Sequence, residues 1–159
     1  MAWMPITFIT ELERSFQMNE YEYDQIEIGM NAHFHKTITA EMEEQFRQLS
    51  GDDNPLHRDD GFAQVISKGV YKSHVAFGML VAAMYSTMAG MYLPGKYSLI
   101  HSINELSFMK PVFVGDKLDV IGTVVDKIDD LRLLILKVII KNQDNRIVSK
   151  AKMRVLVMK

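Results

Sequence analysis

Asp52 and His57 stand five residues apart in the stretch Ser50-Gly51-Asp52-Asp53-Asn54-Pro55-Leu56-His57. A carboxylate beside an imidazole can move protons or orient a water molecule at neutral pH. The segment between them cannot stay helical. Asn54 precedes a proline, which pushes it toward extended backbone, and Gly51 and Pro55 punctuate the chain on either side. A bend of that kind folds the two side chains back toward one another. Asp, Asn, Gly, Pro and Ser also make turns for purely local reasons. Taken alone, the string therefore also reads as a plain turn, with Asn54 holding the loop.

The elements that position this loop are legible on both sides. Upstream, Glu41 to Leu49 is a short helical pattern with Met42, Phe46 and Leu49 on one stripe, and Thr39 is its N-cap. Downstream, a second short helical segment carries Ala63. A first strand is expected at 31–38. A central helix is expected from Ala76 or Phe77 to Met91, because Met79-Leu80-Val81-Ala82-Ala83-Met84-Tyr85 is apolar nearly all round. A helix apolar on every side must be buried. Leu93-Pro94-Gly95 stops it. The period then changes to two: 117–125, 132–141 and 146–158 read as strands separated by Asp129-Asp130 and by Asn142-Gln143-Asp144-Asn145. One buried helix followed by a long antiparallel meander predicts a single α+β domain whose curved sheet wraps the helix.

Three motifs carry a family resemblance. Phe46-x-x-Leu49-Ser50-Gly51-Asp52-x-Asn54-Pro55-Leu56-His57, with Ala63 after five more residues, resembles the hydratase 2 motif of MaoC-like dehydratases and (R)-specific enoyl-CoA hydratases. Phe77-Gly78-Met79-Leu80 is similar to the His-Gly-Met-Leu that opens the family's central helix. Leu106 to Asp116 is similar to its Phe-x-x-Pro-Val-x-x-Gly-Asp segment. The resemblance runs from about Gly29 to the C-terminus. It implies a hot-dog fold, a homodimer whose sheets pair at their edges, and no cofactor. The implied reaction adds or removes water across the C2–C3 bond of an acyl thioester, carried by coenzyme A or by an acyl carrier protein.

The resemblance assigns roles by position. Asp52 and His57 would hold and activate the water, with Asp53 at the motif's free position. The backbone N–H of Gly78, at a helix N-terminus that favours negative charge, would receive the enolate oxygen. Its alternative is a tight entry into a buried helix. Ser86, a little over two turns further on, matches a serine that supports the carboxylate, or else bonds its own helix backbone. Phe77 replaces the family's histidine, which removes a hydrogen-bonding group and alters pocket shape. Met79, Leu80 and Met84 are expected to set pocket depth. A non-catalytic acyl-thioester-binding module and a thioesterase are the competing readings. Asp52 with His57 argues against the first, and the Asp-x-Asn-Pro-Leu-His string against the second.

Composition fits a cytoplasmic enzyme of one domain: 159 residues, 48% hydrophobic, net charge −2. No basic excess points to nucleic acid or an anionic membrane. The absence of cysteine excludes disulfides, thiolate metal sites and a cysteine nucleophile. The apolar window from Gly78 to Leu93 is too short to span a bilayer. Twelve methionines, scattered as they are, read as core filler. No Gly-rich nucleotide loop and no Gly-x-Ser-x-Gly elbow is present. Residues 1–22 read as a leader, with a Thr10-Glu11-Leu12-Glu13 capping box opening a short helix, and 23–159 as the body. His33 and His35 share one strand face, a metal-ligand spacing without an evident third ligand, and read as a surface or groove pair. Lys72, Lys96 and Lys110 are candidates to meet coenzyme A phosphates.

Overall fold

A helix without a polar side can be stable in water only if the rest of the chain encloses it, and that enclosure is the plan of this molecule. The computed structural model describes residues 18–159. In chain order the elements are β1 (Asn31–Thr37), α1 (Ala40–Ser50), α2 (Asp60–Ile66), α3 (Gly78–Thr87), β2 (Ser98–Phe108), β3 (Lys117–Ile128), β4 (Leu133–Lys141) and β5 (Ile147–Val157). The strands form one antiparallel sheet in the order β1-β3-β4-β5-β2. This is the α+β domain expected.

Period-two alternation decides which face meets α3. Leu118, Val120 and Val124 of β3, Leu134, Leu136, Val138 and Ile140 of β4, and Ala151, Met153, Val155 and Val157 of β5 are all buried on the side of α3. Leu80, Val81, Met84, Tyr85 and Met88 are buried against them. Three contacts across the sheet locate the rod. Tyr92 stacks on Phe34 of β1, with ring centroids 4.8 Å apart. Met88 packs on Gly122 of β3 so closely that an added Cβ would lie 2.7 Å from its Sδ. Tyr85 reaches Ser149 of β5, oxygen to oxygen 2.7 Å, in a fully buried pair. Ser149 Oγ gives its own proton to the Ser107 carbonyl at 2.9 Å, so the Tyr85 hydroxyl is the donor between the two.

Three expectations are corrected. β2 lay outside the predicted strands: its pairing with β5 is interrupted between Ile100 and Ser102 and between Asn104 and Ser107, and Glu105 sits at φ 54°. Those bulges break the alternation that period-two reading depends on. Because β2 crosses to the far edge beside β5, the sheet is not a simple meander after the helix. The central helix is α-helical to Thr87 and continues as a π-helical turn, Met88–Tyr92, rather than running uniformly to Met91. Among the described residues, no helix is long and apolar enough to cross a membrane.

The helix expected near Thr10 lies outside the described residues. Asn19 to Tyr21 lie along the end of the central rod: Asn19 N–H donates to Met91 O (2.9 Å), Lys96 N–H to Asn19 O (2.8 Å) and Tyr21 N–H to Pro94 O (3.2 Å). Gly95 makes this approach possible, since at φ +90° an added Cβ would run into the Asn19 carbonyl. Gly29 also has positive φ, at +96°, but faces open space. Gly95→Ala should therefore cost about 3 kcal/mol or more and Gly29→Ala about 1 kcal/mol, as strain with and without a backbone collision. Chemical denaturation of both variants tests this, and equal losses would show that the Asn19 segment does not pack as described.

Candidate active site

The loop bearing Asp52 and His57 is shaped by a chain of short-range hydrogen bonds. The Thr39 hydroxyl accepts from Met42 N–H at the start of α1, and Gly51, left-handed at φ 72°, ends it. Asp52 Oδ1 then accepts from Asn54 N–H (3.1 Å), and Asn54 Oδ1 accepts from Leu56 N–H (3.0 Å). Asn54 thus caps the single 3-10 turn Pro55–His57, the loop-holding role its type suggested. Asp59 caps α2 in the same manner, accepting from Phe62 N–H at 2.9 Å.

A second segment fastens this loop beside α3. Val75 N–H donates to Leu56 O (3.0 Å), and Ala76 N–H to Val112 O (2.8 Å). His57 Nδ1 lies 2.6 Å from the Val75 carbonyl. A carbonyl only accepts, so Nδ1 carries the proton and Nε2 remains the basic nitrogen. The imidazole packs on Phe77, ring centroids 4.3 Å apart, and Phe77 in turn meets Phe46 at 5.2 Å. Phe77 is buried and forms an apolar wall behind His57.

Asp52, His57, Phe77, Gly78 and Met79 line one cavity of about 250 Å³, completed by Phe46, Ser50 and Phe108. The Gly78 amide opens α3 with no side-chain cap before it. A larger apolar cavity of about 360 Å³ adjoins at His57, Gly78 and Phe108 and extends past Tyr71, Val81 and Val148 to Lys110. Asp53 is turned elsewhere: it pairs with Arg58 and, at 3.1 Å, with Arg47 on the surface. Hydrogen bonds from Arg58, and then Arg47, hold its carboxyl below the usual carboxylate range. The two neighbouring carboxylates are thereby separated, one at the cavity and one outside.

Some expectations are not met. Ser86 is exposed, lines none of these cavities and makes no side-chain hydrogen bond among the described residues, so it does not support Asp52 within one chain. Leu80 and Met84 are buried in the core, and of the three depth-setting candidates only Met79 lines the cavity. Of the lysines, Lys110 borders the larger cavity. Lys96 pairs with Glu20, and Lys72 donates to Gly69 O.

A curved antiparallel sheet closed around one apolar helix, with a polar loop meeting the helix N-terminus, defines a hot-dog fold. Residues 24–144 match the model of the MaoC like domain, and the chain belongs to that family. It is 40% identical over 92 residues to an (R)-specific enoyl-CoA hydratase of Aeromonas caviae, covering 58% of this chain and 66% of the relative. It is 32% identical over 112 residues to a protein of the same description from Rhodospirillum rubrum, covering 70% and 75%. The structure of an (R)-hydratase from A. caviae superposes with a TM-score of 0.77 at 32% identity, over 83% of this chain and 97% of that one.

Behind His57 lies a feature the sequence did not suggest. Glu43 of α1 is 5% exposed, and its Oε2 lies 3.1 Å from His74 Nε2, while His74 Nδ1 lies 2.6 Å from Asp60 Oδ1. Glu43 and His74 join His57, Arg47 and Arg58 around a polar cavity of about 290 Å³. Burial pushes the Glu43 carboxyl up, against the opposing pull of His74. For His74, burial acts downward, but the Asp60 hydrogen bond and the charge and hydrogen bond of Glu43 outweigh it and the net displacement is up. A raised imidazole stabilises the fold fully below its ordinary value of 6.5 and loses that contribution as pH rises through the folded value. The melting-point gap between wild type and His74→Gln should thus be widest near about pH 5–6 and shrink by about pH 9. Thermal melts across that range check it, and a gap independent of pH would remove charge from the network.

Proposed function

We propose that this protein is an (R)-specific 2-enoyl-CoA hydratase, or equally the reverse 3-hydroxyacyl-CoA dehydratase. The observation that carries the reading is the shared cavity of Asp52, His57 and the first amide of α3. Hydration needs a base for water, a proton for C2 and a donor for the oxygen on which enolate charge develops. His57 Nε2, left basic by the bond from Nδ1 to Val75 O, takes the proton from a water oriented by Asp52. The water oxygen attacks C3, and the proton is delivered to C2. Meanwhile the Gly78 N–H receives the thioester oxygen, where the helix N-terminus favours negative charge. The acyl chain occupies the apolar cavity toward Tyr71 and Val81, and Lys110 at its border meets the carrier's phosphates. Coenzyme A is favoured as the carrier by the substrate named for both enoyl-CoA hydratase relatives.

The active assembly in this reading is a homodimer. Met79, Ala83 and Ser86 recur at four- and three-residue spacing on α3 and are exposed. Beside them the edge strand β2 exposes Leu99, Ile103 and Phe108. A largely apolar helix and a strand edge unpaired among the described residues leave one surface for a second copy. Ser86 lies on that surface, facing the partner rather than its own Asp52. Ala83→Glu should yield a monomer by analytical ultracentrifugation. A dimer retained in that variant would place the interface elsewhere.

Loss of the conjugated thioester absorbance of trans-2-enoyl-CoA measures the reaction. Asp52→Asn and His57→Ala should each fall roughly 10²–10⁴-fold. Gly78→Pro, which deletes the amide, should fall by about 10²–10³. Gly78→Ala keeps it, and its methyl would only touch the Phe108 ring at 3.4 Å, so most activity should remain. Folded Gly78→Pro with wild-type turnover would remove the amide from the mechanism. Release of free coenzyme A would identify a thioesterase instead, and tight acyl-CoA binding without turnover a binding module.

A further inference from the structure

We propose that His33, His35 and Asp119 form a binding site for a transition-metal dication of the zinc class on the outer face of the sheet, apart from the candidate active site. Phe34 points inward to stack on Tyr92, so strand alternation sends both neighbouring histidines to the opposite face. The antiparallel register sets His35 against Asp119 and His33 against Ile121. With Leu118 and Val120 buried, Asp119 points to the same outer side as the two histidines. The sequence offered a pair of imidazoles, and the fold supplies the carboxylate from β3.

The geometry is that of a ligand set slightly open. One donor atom from each of the three residues lies within 4.8 Å of the others. His35 Nδ1 and Asp119 Oδ1 are 3.4 Å apart, about the edge of a tetrahedron built on zinc bonds of roughly 2.0–2.2 Å. The His33 donor closes the set by side-chain rotation, which its exposure allows. Asp119 Oδ1 is the independent sign: it is shut off from solvent and takes no hydrogen bond among the described residues. An acceptor withheld from water without a partner is unfavourable, and a cation resolves it. Lys141, its register partner on β4, does not fill that role.

Two imidazole nitrogens and one carboxylate suit Zn²⁺, Co²⁺, Ni²⁺ or Cu²⁺, whereas Mg²⁺ and Ca²⁺ favour oxygen-only shells. Three protein donors leave a fourth position for water or for a group from another molecule. Among the described residues β1 is an outer strand held in the sheet by β3 alone, so an ion bridging their side chains ties the edge down. None of the three residues lines the Asp52–His57 cavity, so the site is tested independently of the hydratase reading.

The test uses the full chain stripped with EDTA and titrated with Zn²⁺ against a chromophoric chelator, with thermal melts alongside. One saturable ion per chain is expected, with a melting midpoint that rises on zinc addition, returns with EDTA and ignores Mg²⁺. His33→Ala and Asp119→Asn, each melting near wild type without metal, should weaken binding roughly tenfold or more. His74→Ala should leave binding unchanged. A simple His35–Asp119 ion pair would be indifferent to His33→Ala and to zinc. Absence of saturable binding, or binding that survives His33→Ala and Asp119→Asn but is lost in His74→Ala, overturns the proposal.

Discussion

The structure rests on the need to keep α3 out of water. A helix carrying Leu80, Val81, Met84 and Tyr85, and continued by Met88, has only one narrow stripe to offer to solvent. Sheet curvature, the order of its strands and the crossing of β2 to the far edge all follow from covering it. The same enclosure makes the helix start useful. With most of α3 walled in, its first amide opens into the candidate cavity, and the Asp52–His57 loop is fastened there.

That fastening also explains how the imidazole is held beside a phenylalanine. Phe77 offers His57 a flat apolar face at 4.3 Å and no hydrogen bond. The orientation of the imidazole therefore falls to the Val75 carbonyl at 2.6 Å, a backbone group that no side-chain substitution removes. The polar cavity of Glu43 and His74 is also bordered by His57 and Phe77, so the imidazole stands between that cluster and the candidate active-site cavity.

Much of this was legible in the chain. The helix-loop-turn around Asp52, the apolar rod beginning at Gly78, and strands β1, β3, β4 and β5 announce themselves through caps, apolar runs and turn residues at their ends. What was hidden depends on partners remote in sequence. β2 conceals its alternation behind two bulges and a left-handed Glu105. Glu43 is an acidic residue in the first turn of α1, and its burial depends on His74, 31 residues away. Ser86 matched by position, yet its exposure reflects which side of α3 meets the sheet, and only packing determines that. Asp52 and Asp53 are chemically alike, and the arginines that draw Asp53 outward, Arg47 and Arg58, could be recognised only once α1 and the loop were placed.

The lacing of the loop has a kinetic meaning. Leu56 is bonded to Val75, Ala76 to Val112 and His57 to Val75, so the loop has little freedom to swing. In the proposed mechanism, Asp52 and His57 therefore take up their orientation during folding rather than on arrival of a ligand. Little reorganisation then remains to be done at the moment of reaction. On that reading the loop idles in its working pose, and a change that slackened Val112 or Leu56 would slow the proposed reaction from several residues away while leaving Asp52 and His57 intact.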